Sequence, residues 1–317
     1  LRTLVQTRAI VFEQPRQLSV RELTLAAPSA SDVVVDIAWS SISAGTERLL
    51  WEGRMPMFPG LAYPLVPGYE SVGTVMKVGD GVTDLAPGTS VFVPGANCYG
   101  PDVRGLFGGA SRRVVVPASR VIAIDSSLKE RATLLALAAT ALHALRGGSA
   151  LPELVIGHGV FGRLTARLIQ ALGGTPTVWE KHPARMGGAT GYAVLDAASD
   201  PRKDYRCIFD ASGDASLLDA LVMRLAKGGE IVLAGFYSTP ISFVFPPAFM
   251  KEARFRIAAE WSPADLADCV AMHTDGRLSL DGLITDISPA DRAADAYRAA
   301  FDDPQCLKMV LDWSTLS

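Results

Sequence analysis

The sequence predicts an α/β fold, a doubly wound parallel sheet lying behind a β-rich domain. Three observations predict it. Short apolar runs broken by glycine and proline crowd the chain before Ile124. Strand-length and helix-length apolar segments alternate from Glu153 onward. Where the two patterns meet, three glycines stand in G-x-G-x-x-G register between a strand and a helix. Many short strands with Gly/Pro turns make a compact barrel-like domain, whereas alternating strands and helices make a parallel sheet covered on both faces.

Taken in order, residues 9–12, 18–23 and 33–39 alternate or run apolar. Pro28, Gly60, Pro67-Gly68, Gly79, Gly81 and Pro87-Gly88 punctuate them as turns. Residues 71–78 read as a strand that turns through GDGVTDLAPG into VFVPG. Residues 128–145 read as one long helix stopped by Gly147-Gly148. Further strands are expected at 154–156, 177–179, 193–195, 207–209, 230–233 and 255–259. Helices are expected at 163–172, 216–226, 264–274 and 290–301, with a closing strand at 307–313. The expected division is 1–126 for the β-rich domain, 127–280 for the sheet domain and its connecting helix, and 281–317 for a last segment.

Composition excludes several classes of function. The 49% hydrophobic and 20% charged residues suit a soluble globular protein with a large core. Thirty basic against 33 acidic residues, with no basic stripe, argue against a nucleic-acid partner. Cys98, Cys207, Cys269 and Cys306 are far apart without a C-x-x-C, which suits free thiols in a cytoplasmic protein. The uncharged run 134–145 is too short to cross a bilayer, so no transmembrane segment is expected. No leader is read at the N-terminus, and a start at Leu1 implies residues before it.

The stretch ELVIGHGVFGRLTARLIQALGGTPTVWE carries the first functional reading. Gly157 permits a tight turn, Gly159 lets backbone approach a pyrophosphate, and Gly162 lets helix pack against strand. The helix N-terminus offers unpaired N–H groups and partial positive charge. Glu180 ends the next strand, where a carboxylate takes both hydroxyls of an adenosine ribose. Strand, turn, helix, strand and acid together spell a Rossmann dinucleotide site. The acid favours NAD, since it repels a 2′-phosphate; Lys181, His182 and Arg185 keep NADP open.

A nucleotide unit placed late, preceded by SAGTERLLWEG, VPGYESVG and GLFGGASRRVVVPASRVIAID, resembles the medium-chain dehydrogenase/reductase family over nearly the whole chain. The resemblance implies a GroES-like catalytic domain, completed by the returning chain end, and a dimer formed through the last strand of the nucleotide domain. It also implies cofactor contacts from Val160 and Phe161 in the phosphate turn, Arg185 near the ribose, Ala211 and Ser212 lining the crevice, and Thr140 against the nicotinamide. Glu70 and Lys308 match positions that pair near the pyrophosphate.

Departures from that family bear on the chemistry. Its zinc-binding members hold the metal at positions that here are Ala44, Tyr69 and Ala136, and the four-cysteine structural lobe is missing. None of these side chains supplies a thiolate, imidazole or carboxylate, so no metal is expected. Tyr69 is then a candidate donor to the substrate oxygen, Thr46 a proton relay and His143 a candidate base.

Large apolar residues flank the expected pocket. GTERLLWEGRMPMFPGLAYPLVPGYESVG, HGVFGR, LAGFY, FPPAFMKEAR and LKMVLDW together resemble the bacteriochlorophyllide dehydrogenase branch of the family. That resemblance implies NAD-dependent oxidation of a 3-(1-hydroxyethyl) group to acetyl on a tetrapyrrole, in a cytoplasmic protein with peripheral contact to the photosynthetic membrane left open. Trp51, Phe58 and Tyr63 would stack on the macrocycle, and Arg54, or else Arg48 or Arg104, would take its propionate. Two other readings stay open: a zinc-free quinone or enone reductase using NADPH, and a pigment carrier without redox activity.

Overall fold

A computed structural model describes residues 5–57 and 59–316. The chain forms two compact units. One takes the chain up to Ala136 and again from Ile284; the other holds Leu137–Leu283.

The first unit opens with a hairpin of β1 (Val5–Gln14) and β2 (Gln17–Leu25), closed at Arg16 with φ of +65°. Next come β3 (Asp32–Ser41), a helix α1 (Thr46–Glu52), β4 (Leu65–Val66), β5 (Ser71–Val78) and β6 (Ser90–Val93). β7 (Arg104–Gly105), β8 (Arg113–Pro117) and β9 (Ile122–Ala123) follow. One sheet runs β2-β1-β4-β7; in the other, β3 pairs with β5 and β8, and β5 with β6. β1 is covered on both faces at Ala9, Ile10, Val11 and Phe12, and these join Val33, Val35, Ile37 and Leu65 in one apolar core.

The helix expected over 128–145 is broken. Residues Ser126–Leu134 wind in 3₁₀ turns with Lys129 at φ +49°, and α2 (Leu135–Arg146) begins after them. The cause is local hydrogen bonding. The Asp125 carboxylate accepts the Ser127 N–H, and the Thr133 hydroxyl donates to the Glu130 carbonyl, so side chains compete with the α-helical ladder.

The second unit holds β10 (Leu154–Ile156), α3 (Val160–Ala171), β11 (Thr177–Trp179), β12 (Ala193–Leu195), β13 (Tyr205–Asp210) and α4 (Leu218–Val222). β14 (Leu225–Leu233), α5 (Phe245–Lys251), β15 (Arg254–Ile257) and α6 (Pro263–Thr274) complete it. The sheet order is β12-β11-β10-β13-β14-β15, and every neighbouring pair is parallel. The chain leaves β10 on one side for β11 and β12, then crosses to β13 on the other. Order therefore reverses at β10, and a doubly wound sheet binds ligands beyond the strand ends at such a point.

Two boundaries in this unit differ from expectation. The helix expected over 216–226 is five residues, Leu218–Val222, because β14 already starts at Leu225. Pairing of Tyr205 with Leu225 carries the strand through Gly228-Gly229, and a register shift between Tyr205 and Cys207 absorbs the extra residues. Sheet pairing thus outweighs the glycine punctuation.

From Ile284 the chain adds β16 (Asp286–Pro289), α7 (Ala293–Asp302) and β17 (Met309–Asp312) to the first unit. β17 lies antiparallel to β3, with Leu311 opposite Ser40. Trp313 and Tyr297 are fully buried there, and the Trp313 indole donates to the Ser40 hydroxyl at 2.8 Å. Among the described residues no helix is long and apolar enough to cross a membrane.

Candidate active site

In the second unit the site is made mostly of backbone. Gly157, with φ of +96°, turns the chain off β10 in a conformation that L-residues avoid. A methyl group on Gly162 would lie 1.8 Å from the Gly157 carbonyl oxygen, so only hydrogen fits. Gly159 caps α3 without any side-chain bond to the helix, leaving first-turn N–H groups open to an anion. Around Gly159 there is space: a methyl there would meet only Arg185 Nη1, at 3.9 Å. Ser212 runs beside Gly157, and the Ala211 N–H donates to the Ile156 carbonyl. Val160 and Phe161 start α3, with the Phe161 ring packed on Phe209.

Glu180 is nearly buried, and its two oxygens accept three backbone N–H groups, from His158, Lys181 and His182, at 2.8–2.9 Å. Burial pushes its pKa up, yet these donors outweigh burial and hold the carboxylate below its usual range. The acid at the expected ribose position is therefore a fixed anion tied to the glycine turn itself.

Two residues that the sequence did not mark build this end of the site. His158, between the first two glycines, is fully buried, with Nδ1 2.6 Å from the Arg185 carbonyl and Nε2 2.8 Å from the Tyr192 hydroxyl. Arg163, on α3, donates to the carbonyls of His158, Arg185 and Gly187. Together they clamp the segment that carries Arg185 against the glycine turn. A charged residue inside the apolar stripe of α3 was the available signal.

Thr140 and His143 lie one turn apart on α2. The His143 ring bonds Asp265 at 2.9 Å, and Asp265 is also held by Arg146 at 3.1 Å and by Ser262 in the capping box of α6. The His143 Nδ1 is therefore engaged with Asp265 at the start of α6.

In the first unit the site is made of side chains. The Tyr69 hydroxyl lies 2.8 Å from Ser43 Oγ and donates to Thr46 Oγ1 at 3.4 Å. Its ring rests edge-on against Phe107, with centroids 5.0 Å apart. Burial, then the nearby Glu70 charge, raise the phenol pKa far above its usual value, so it stays protonated. Ser43 was not marked by the sequence, since a serine before an exposed turn carries no spacing signal. Its backbone N–H donates to Glu47, a fully buried carboxylate that also accepts the Tyr297 hydroxyl at 2.7 Å. Burial pushes Glu47 up to about 7, against the pull of those two donors.

Glu70 and Lys308 form an ion pair that is essentially closed to solvent, and Ser41 donates to the same Glu70 oxygen. The other oxygen, Oε1, has no partner among the described residues. The pairing expected of Glu70 and Lys308 is thus present, with the Lys308 ammonium held by a buried carboxylate.

Of the expected substrate contacts, Trp51 packs on Phe12 and the Tyr63 hydroxyl donates to the Leu50 carbonyl, so both brace α1. Arg54 is paired with Glu52 at 2.8 Å. Phe58 lies outside the described residues. Ala44 is exposed and Ala136 buried, and neither offers a metal ligand. Zinc takes three side-chain ligands and an open position; among the described residues no group of three His, Cys, Asp or Glu is placed to hold it. These residues do not fit a metal.

Residues 29–126 match the family described as alcohol dehydrogenase GroES-like domain. The fold is similar to that of L-idonate 5-dehydrogenase from Escherichia coli, with TM-score 0.85 and 18% identity over 98% of this chain and 99% of that one. It is also similar to an alcohol dehydrogenase from E. coli CFT073 solved with cofactor NADH, with TM-score 0.82 and 23% identity over 97% and 99%. Two relatives are much nearer in sequence. The 2-desacetyl-2-hydroxyethyl bacteriochlorophyllide A dehydrogenase of Rhodobacter capsulatus is 57% identical over 98% of this chain and 99% of its own. Its namesake in Cereibacter sphaeroides is 54% identical over the same shares. The chain belongs to the bacteriochlorophyllide dehydrogenase family, a branch of the medium-chain dehydrogenases/reductases.

Proposed function

We propose that this protein oxidises the hydroxyethyl substituent of a bacteriochlorophyllide to acetyl, with NAD as acceptor and no metal ion. The hydroxyl cluster Ser43–Tyr69–Thr46 carries the chemical part, because it stands where the resemblance puts a metal ligand. The substrate class rests on relatives of that name that match end to end.

A nicotinamide dinucleotide fits the second unit. The open space at Gly159 and the uncapped N-terminus of α3 suit a pyrophosphate, and the fixed Glu180 anion suits ribose hydroxyls while opposing a 2′-phosphate. When bound, the cofactor supplies the hydride acceptor. The protein orients the carbinol, excludes water and handles its proton. The Tyr69 hydroxyl shares one hydrogen bond with Ser43 and donates another to Thr46. The carbinol proton passes to the Tyr69 oxygen as the phenol hydrogen moves to Ser43 or Thr46, which releases its own hydroxyl hydrogen to water, so one proton leaves the site and no phenolate forms.

The test is to mix purified protein, NAD and hydroxyethyl-bacteriochlorophyllide and follow the absorbance of the acetyl product. No product with either nucleotide defeats the reading. Faster turnover with NADP overturns the cofactor assignment, and stoichiometric zinc in active protein overturns the metal-free route. We also propose a homodimer through the open edge of β15, where Ile257 is exposed, in a cytoplasmic protein. A light-scattering mass of 33.6 kDa would refute the dimer.

A further inference from the structure

We propose that Arg104 anchors the propionate carboxylate of the pigment; this rests on the substrate reading above. A bacteriochlorophyllide carries a free carboxylate on a flat apolar ring, and a carboxylate is best held by an arginine whose fork is not already engaged. Three arginines of the first unit flank the expected pocket. Arg48 is engaged three times, by Glu52 at 3.0 Å, by the Phe301 carbonyl at 2.6 Å and by Asp302 at 3.5 Å. Arg54 pairs with the other oxygen of Glu52. Arg104 is exposed, and among the described residues nothing bonds its guanidinium.

Its backbone, by contrast, is fixed and leads to the hydroxyl cluster. The Arg104 N–H donates to the Pro64 carbonyl at 2.9 Å, and β7 runs parallel to β4 with Arg104 opposite Leu65 and Gly105 opposite Val66. The two strands continue side by side. The Gly108 N–H donates to the Val66 carbonyl, and Phe107 meets the Tyr69 ring. Arg104 thus stands level with Leu65, four residues before Tyr69. β4 ends at Val66 and the chain turns at Gly68 (φ +95°), so the backbone separation is under the roughly 13 Å of a fully extended segment, and the arginine side chain adds its own reach. That is the scale of a tetrapyrrole with its propionate arm. Tyr69 would hold the hydroxyethyl end and Arg104 the acid end. The alternative is a solvated surface arginine, and Arg16 provides that control: it is equally exposed and unpaired, but no strand pairing links it to Tyr69.

The experiment measures Kd by tryptophan quenching, and KM and kcat by acetyl formation. Both use the free acid and its methyl ester, with wild type, Arg104→Gln, Arg104→Lys and Arg16→Gln. Arg104→Gln should weaken the acid about tenfold or more in Kd and KM, leave kcat within twofold and leave the ester unchanged. Wild type should prefer acid to ester by the same factor, Arg104→Lys should recover part of it, and Arg16→Gln should match wild type. Equal binding of acid and ester by wild type overturns the proposal, as does an Arg104→Gln loss shared by both pigments. If no variant forms acetyl product while the acid-specific loss in Kd persists, the oxidation is wrong and the anchor stands.

Discussion

The two units carry candidate sites built from different materials. Around Gly157, Gly159 and Gly162 the working groups are backbone N–H donors and a carboxylate that backbone donors hold in place. Around Tyr69 they are side-chain hydroxyls, with the buried acid Glu47 holding the backbone of Ser43. Where backbone meets backbone, as at Gly162, no extra atom fits, because main chain cannot swing aside. A side-chain site tolerates substitution sterically but depends on each polar atom finding its partner. Mutations should therefore fail in different ways in the two places.

The largest effect on cofactor binding is expected at Gly162→Ala. The added methyl meets the Gly157 carbonyl oxygen at 1.8 Å, a backbone atom, so the turn itself must shift. We expect NAD affinity to fall by more than about 100-fold and stability by about 3 kcal/mol, of the size seen for overpacking. Calorimetry and thermal melting measure both. Normal NAD uptake would show that this turn is not where the nucleotide binds.

Next is Lys308→Met, which leaves Glu70 charged, buried and unpaired. Breaking a buried ion pair costs about 3–5 kcal/mol, and denaturant unfolding should show a loss of that order. An unchanged midpoint together with weakened NAD binding would give the pair the phosphate-steering role expected of it rather than a structural one.

These two predictions also mark what the sequence could say. Gly162 was legible because steric exclusion of a side chain leaves a fixed residue type at a fixed spacing, with strand and helix periodicity on either side. The parallel sheet was legible for the same reason. Ser43 was not legible, because a hydroxyl reached across the fold by Tyr69, 26 residues away, imposes no local pattern. Neither was the burial of Lys308, whose partner Glu70 is 238 residues distant. The break at Lys129 was hidden by helix-forming neighbours, and the early start of β14 by glycines that pairing with β13 overrides.

Tyr69→Phe should lower kcat about 100-fold, the low end for loss of a proton-handling group, and leave the KM for NAD unchanged. Ser43→Ala removes only one exit for the proton, so about tenfold is expected. Burial, followed by Glu70, raises the Tyr69 pKa, so wild-type kcat should show no alkaline limb from this group up to its ordinary value of 10.0. A limb near neutrality that vanishes in Tyr69→Phe would mean that a phenolate forms and that the hydroxyl chain does not relay.

The smallest effect belongs to a side-chain network in the otherwise backbone-built unit. Asp265 is held at about 2: burial raises its pKa, but Ser262, His143 and Arg146 outweigh burial. Since the folded value lies below the ordinary 3.8, the network's stabilisation is full above pH 3.8 and drains away as pH falls toward 2. Asp265→Asn should cost about 1 kcal/mol at neutral pH, after allowance for solvent screening at the half-exposed His143 and Arg146. The cost should vanish in acid, with turnover within about twofold of wild type because the network holds helix α6 rather than the carbinol. His143→Gln separates the two roles of that histidine. A loss confined to stability assigns the ring to Asp265, whereas a 100-fold fall in kcat makes it the base and leaves the hydroxyl cluster as a donor only.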